Sequence, residues 1–89
     1  MDKFELVLEC GVIDDEDIMR LKKEFKSEYN VDFEYKPRKW DLHYADWIFT
    51  GTREDVKKFI MEDYLPTMEL DINDLDEEYD SHILDLINN

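Results

Sequence analysis

The sequence predicts a single α+β domain, and three observations predict it. The apolar residues switch several times along the chain between a spacing of two and a spacing near 3.6. Capping residues, Asp14 and Thr52, stand at two of those switches. With 89 residues, 43% hydrophobic and 13% aromatic, the chain can close one core and is too apolar to be a disordered acidic tail.

At the start, Phe4, Leu6, Leu8 and Cys10 alternate with Glu5, Val7 and Glu9, the pattern of a half-buried strand that Gly11 ends. Asp14-Asp15-Glu16-Asp17 then begins a helix, because an Asp cap and first-turn carboxylates satisfy free amides and complement the helix dipole. Ile18, Leu21, Phe25 and Tyr29 recur on one stripe of it, and Asn30 can close it. A second strand follows in Val31, Phe33 and Tyr35, interrupted by Pro37. After the turn Lys36-Pro37-Arg38-Lys39, the residues Trp40, Leu42, Tyr44, Trp47 and Phe49 favour a third strand, forming a hairpin with the second.

Thr52 caps the next helix, and Asp55 stands where an acidic capping-box partner would reach back. Val56, Phe59, Ile60 and Tyr64 form its apolar stripe, and Leu65-Pro66 is expected to stop it. Met68, Leu70 and Ile72 then alternate with Thr67, Glu69 and Asp71, predicting a fourth strand. The resulting order is β-α-β-β-α-β, the ferredoxin-like arrangement in which one antiparallel sheet carries two helices on one face. That core covers residues 1–72. Over 73–89 an additional acidic helix is expected, capped by Asn73 or Asp74, with Leu75, Tyr79, Ile83 and Leu86 or Ile87 on its inner stripe.

Charge is the chain's dominant functional signal. It carries 25 Asp and Glu against 11 Lys and Arg, a formal net charge of −14. All the basic residues and 15 of the acids fall in residues 1–58, whereas residues 59–89 hold 10 acids and no Lys or Arg. Such a chain repels nucleic acid and anionic membrane and attracts basic surfaces, so the expected partner is a basic protein. Glu69 and Asp71 off the fourth strand, with Asp74, Glu77, Glu78, Asp80 and Asp85 along the last helix, can imitate a phosphate array, whose charges recur about every 1.7 Å of duplex axis. The plain alternative is a solvated acidic face that keeps a small domain soluble; the absence of interspersed lysines, used freely in the first helix, weighs against it.

Other chemistries fit poorly. Asp74, Asp76, Glu78, Asp80, His82 and Asp85 have calcium-loop spacing, but Tyr79 stands where the sharp turn needs Gly and Asp85 where a bidentate Glu belongs. Cys10, His43 and His82 are too dispersed for zinc, and neither His has a nucleophile beside it, so neither catalysis nor a metal or cofactor is expected. A lone cysteine excludes an internal disulfide, and no secretory or membrane-spanning run is legible; a cytoplasmic location is expected. Tyr35, Trp40, Tyr44, Trp47 and Phe49, beside Lys36, Arg38 and Lys39, could stack RNA bases on such a sheet, but the net charge opposes it. Most of these rings are core, with Trp40 or Trp47 left as a protein-binding anchor.

In overall character (small, highly acidic, without enzymatic motifs) the chain resembles the inhibitors that phages and mobile elements direct at host nucleases, the anti-restriction and anti-CRISPR proteins. The resemblance implies a stoichiometric inhibitor that occupies a nucleic-acid-binding groove. The alternative is an interaction module or accessory subunit, self-associating as a homodimer through a sheet edge or the aromatic hairpin.

Overall fold

The computed structural model describes residues 3–78 and 80–88. Strand β1 (Phe4–Gly11) leads into helix α1 (Asp15–Tyr29), followed by β2 (Asp32–Pro37) and β3 (Tyr44–Gly51). Helix α2 (Arg53–Phe59) continues through a π-helical turn (Ile60–Tyr64) into the short α3 (Leu65–Thr67). A 3-10 turn (Ile72–Asp74) and helix α4 (Ser81–Asn88) complete the chain. The sheet has the order β1-β3-β2 with both pairings antiparallel, so β1 and β2 run parallel on either side of β3. The protein is therefore an α+β domain with a three-stranded antiparallel sheet.

The caps form as the side-chain chemistry predicts. Asp14 Oδ1 accepts the Asp17 amide at 2.9 Å and Thr52 Oγ1 accepts the Asp55 amide at 3.1 Å. Asn30 closes α1 in the left-handed region, at φ 58°. Asp55 does not reach back to its own cap; its carboxylate meets Asn30 Nδ2 at 3.4 Å, joining the start of α2 to the end of α1. Gly51 belongs to the same junction, since a Cβ there would stand 3.3 Å from the Asn30 carbonyl oxygen.

Alternation then places the core. Register sets Leu6 and Phe33 on either side of Phe49, and all three face the helices. Phe25 from α1 and Phe59 from α2 close over them, with ring centroids 4.6 Å apart, and Phe59 lies 4.9 Å from Phe49. Such aromatic pairs contribute roughly 0.5–1.5 kcal/mol each beyond their area burial. Val31, Val56, Ile60, Leu65, Ile83 and Leu86 complete the buried cluster.

Four expectations are corrected. No fourth strand exists among the described residues. The helix runs past Leu65-Pro66 because the π-helical turn, in which the Leu65 amide donates to the Ile60 carbonyl, loosens the ladder where the proline ring would crowd the preceding turn. Its end is then sealed by Glu69 at φ 56°, with the Leu70 amide on the Leu65 carbonyl at 2.9 Å and the Glu69 amide on the Pro66 carbonyl at 3.1 Å. Those two amides are the donors a strand at 68–72 would have needed.

The last helix starts at Ser81 rather than at residue 73 or 74. Carboxylates capture the backbone first: Asp74 Oδ2 accepts from the Asp71 amide, Asp76 Oδ1 from Glu78 and Asp80 Oδ2 from Asp76, at 2.7–3.0 Å. Such local bonds offer the chain an alternative to helix. Ile83 and Leu86 are buried as the stripe predicts, whereas Tyr79 lies outside the described residues. Finally, β3 begins at Tyr44, leaving Trp40 and Leu42 in a loop. Asp41 Oδ1 there accepts the His43 and Tyr44 amides at 2.9 and 3.1 Å, a turn that breaks the expected extension.

Candidate functional site

The sheet face opposite the helices carries the alternate residues of each strand. Glu5, Val7 and Glu9 of β1 lie beside Thr50, Ile48 and Asp46 of β3, which are followed by Asp32, Glu34 and Lys36 of β2. No member of the apolar core cluster belongs to this face, where Ile48 is the buried apolar residue and acids outnumber bases. Arg38, at the start of the loop, reaches back over the sheet: Nη1 binds Glu9 at 2.6 Å and Nη2 binds Asp46 at 2.5 Å. The hydrogen bonds to Asp46 and then Glu9 raise the guanidinium pKa above its ordinary value. This clamp fixes the root of the loop to β1 and β3.

Helix α4 packs on α2, where the Arg53 guanidinium donates to the Asp85 carbonyl at 3.1 Å. One hollow on this flank is lined by Glu5, Val7, Arg53, His82 and Asp85. A second is lined by Glu9, Arg38, Asp46, Asp80 and His82. His82 borders both, so Glu5, Glu9, Asp46, Asp80 and Asp85 fall along one acidic ribbon that runs from the open sheet face onto α4. Of the C-terminal acids singled out from sequence, the structure brings Asp80 and Asp85 into this ribbon. Glu69, Asp71, Asp74, Glu77 and Glu78 are exposed along the connection between α3 and α4 instead of lining a helix.

The two tryptophans part company. Trp40 and Leu42 are each 85% exposed in the 38–43 loop. Exposed Tyr44 follows, and exposed Val12 joins this end through the hydrogen bond its amide donates to the His43 carbonyl at 3.3 Å. Trp47 packs on Phe33 with centroids 5.2 Å apart and donates its indole N–H to the Gly11 carbonyl at 3.0 Å, so it is a half-buried member of the covered face. Asp41 holds the loop's shape; the His43 amide first, and the Tyr44 amide and Arg38 after it, keep its carboxyl below the ordinary value. Arg38, at the root of this loop, lines the hollow that contains Asp80.

Sequence reasoning named neither Glu5, Glu9 and Asp46 nor Leu42 as site residues. The alternation of β1 already turns Glu5 and Glu9 away from the core, which was the available signal. Among the described residues no group of three His, Cys, Asp or Glu is placed to hold a metal ion. Cys10 is buried, and desolvation raises its thiol pKa, partly offset by the Tyr64 hydroxyl. No helix among the described residues is long and apolar enough to cross a membrane. The surface can form ion pairs with a basic partner and bury an aromatic anchor. No protein-family model matches this chain, and no match to it was found among curated proteins or solved structures.

Proposed function

We propose that the protein is a non-enzymatic inhibitor, acting in the cytoplasm, that occupies a basic nucleic-acid-binding surface of a nuclease or similar effector by imitating a nucleic-acid backbone. The observation that carries this reading is the ribbon of Glu5, Glu9, Asp46, Asp80 and Asp85, joined through Arg38 to the loop that exposes Trp40. Carboxylates fixed on a sheet and a helix lose less conformational freedom on binding than carboxylates on a free tail. Trp40 supplies the kind of large exposed side chain that dominates interface energies when a pocket receives it. The acids of residues 69–78 extend the negative field around this centre.

The test is recovery of binding partners with the tagged protein, eluted by salt, followed by competition. The reading expects a nucleic-acid-binding protein released at moderate salt, because screening lengths fall to about 8 Å at physiological ionic strength. It also expects that partner to lose DNA or RNA binding when this protein is added. Reversing Glu5 and Asp85 to Lys should weaken binding at least tenfold, with an unchanged circular-dichroism spectrum showing the fold intact. Capture that survives the reversal, or that leaves nucleic-acid binding unchanged, sinks the reading.

A second reading, a self-associating interaction module, is favoured by the two outer strands β1 and β2, neither of which pairs with a further strand among the described residues. Light scattering after size exclusion decides it: a tight dimer without affinity for basic proteins places it ahead.

A further inference from the structure

The sheet has two outer edges, and they are not equivalent. In the register that pairs Gly11 with Tyr44, the Val12 amide donates to the carbonyl of His43, its own partner in line, at 3.3 Å. That bond fixes the parity of the ladder. Leu6, Leu8 and Cys10 direct their main-chain groups to β3, and Glu5, Val7 and Glu9 turn theirs away from it. The same parity, carried across β3, turns Phe33, Tyr35 and Pro37 outward on β2. Proline has no amide to offer, and β2 has 6 residues against the 8 of β1, so the β2 edge is blunt. On β1, nothing among the described residues hydrogen-bonds to the outward groups of Glu5, Val7 and Glu9.

The surroundings of the β1 edge select what would pair with it. Glu5, Val7 and Glu9 are all exposed. Hollows of about 550 and 450 Å³ flank the edge and meet at Val7 and His82, which line both. They hold five carboxylates against two guanidiniums. Arg38 is already held by Glu9 and Asp46, and Arg53 lies over the Phe4 ring, while Glu5 and Asp80 meet no cation among the described residues. A second copy of the chain fits this edge badly. An antiparallel pair centred on Val7 would set Glu5 of each copy opposite Glu9 of the other, between molecules of net charge −14.

We infer that the outer edge of β1 docks an extended basic segment of a partner protein, which adds an antiparallel fourth strand by pairing with the main chain of Glu5, Val7 and Glu9. Opposite those three residues the segment carries a basic, an apolar and a second basic side chain, as strand alternation on the open face requires. Main-chain pairing supplies the affinity and the acids select the sequence. The inference deepens the inhibitor reading and rests on it for the nature of the partner alone.

The full chain is tested with one capped peptide, Thr-Lys-Thr-Val-Thr-Lys-Thr, and two controls: the same peptide N-methylated at its Lys and Val residues, and a version with Glu for both Lys. In the free protein the Glu5, Val7 and Glu9 amides should exchange with solvent quickly, and those of Leu6 and Leu8 slowly. The Lys peptide should slow exchange at the first three, with a Kd of roughly 1 mM or tighter at low salt. N-methylation keeps the charge and removes the main-chain donors, so it should weaken binding at least tenfold. The Glu peptide should not bind. Val7→Pro removes an outward amide and no bond to β3, so it should keep the circular-dichroism spectrum and weaken the Lys peptide about tenfold.

The inference is overturned if the three amides are already protected in the free chain, by dimerisation or otherwise. It is equally overturned if the N-methylated peptide binds as well as its parent, or if the Lys peptide gives no protection up to about 10 mM. A nuclease captured equally well by the Val7→Pro variant would overturn this docking mode and spare the inhibitor reading. Protection by the peptide with no nucleic-acid-binding partner recovered would do the reverse.

Discussion

On the helix-covered face of the sheet, Leu6, Phe33 and Phe49 meet Phe25 and Phe59 and are almost wholly withdrawn from water. On the open face of the same three strands, Glu5, Glu9, Asp32 and Glu34 are exposed, and the contacts are ion pairs: Arg38 bridges Glu9 and Asp46, and Lys36 and Lys26 lie near Glu34 and Asp32. The first face is held by area and shape, which salt hardly touches. The second is charged and screened, so it adds little to stability and remains available for recognition. One sheet thus separates the work of folding from the work of binding, and the strand period of two makes the division possible.

The largest effect should come from breaking the covered face. Phe59→Ala removes a ring that contacts Phe25, Tyr29 and Phe49, and should cost about 3–5 kcal/mol. A domain of this size has roughly 4–13 kcal/mol in total, so urea unfolding should show a much lowered midpoint or an unfolded protein. A loss below about 1 kcal/mol would mean that the aromatic cluster does not hold the fold.

Next comes the attachment of α4. Leu86 is fully buried in the same core, so Leu86→Ala should lower stability by about 2–3 kcal/mol in one cooperative transition. A near-neutral result would make the C-terminal helix an independent appendage and would remove Asp80 and Asp85 from the ribbon.

Open-face changes should be far smaller. Glu5→Lys should alter stability by no more than about 0.5 kcal/mol, in the stabilising direction at low salt because it relieves self-repulsion in a chain of net charge −14. The difference should vanish in 1 M salt, where the screening length is about 3 Å. A large loss would show that Glu5 is a structural residue.

The smallest effect sharpens the comparison at the loop. Asp41's folded-state pKa is lowered, chiefly by the His43 amide, so its stabilising contribution is present above the ordinary carboxyl value of 3.8 and is lost as pH falls through the lower folded value. The amide shifts of His43 and Tyr44 should therefore titrate together with a midpoint below 3.8, and Asp41→Ala should abolish that titration while loosening Trp40. A midpoint at or above the ordinary value would mean that the turn is not formed by this carboxylate.

What the sequence by itself determined was whatever depends on neighbours a few residues away. Asp14 and Thr52 cap helices because their side chains meet amides three residues on, and the alternation in β1 and β2 turns Phe4, Leu6, Phe33 and Tyr35 inward whatever they meet. The stripes carrying Phe25, Val56, Phe59, Ile83 and Leu86 were legible for the same reason. Tertiary structure decided the rest, because periodicity names a face without naming what lies against it. The alternation at Met68, Leu70 and Ile72 suits a strand, yet the helix that passes Pro66 takes the Glu69 and Leu70 amides for its own carbonyls. Trp40 and Trp47 look alike in sequence; only pairing with β1 and β2 places Trp47 against Phe33 and leaves Trp40 in water. The convergence of Glu5 and Glu9 with Asp80 and Asp85 on two hollows joins residues more than seventy positions apart, and only the packing of α4 on α2 and the common core creates it.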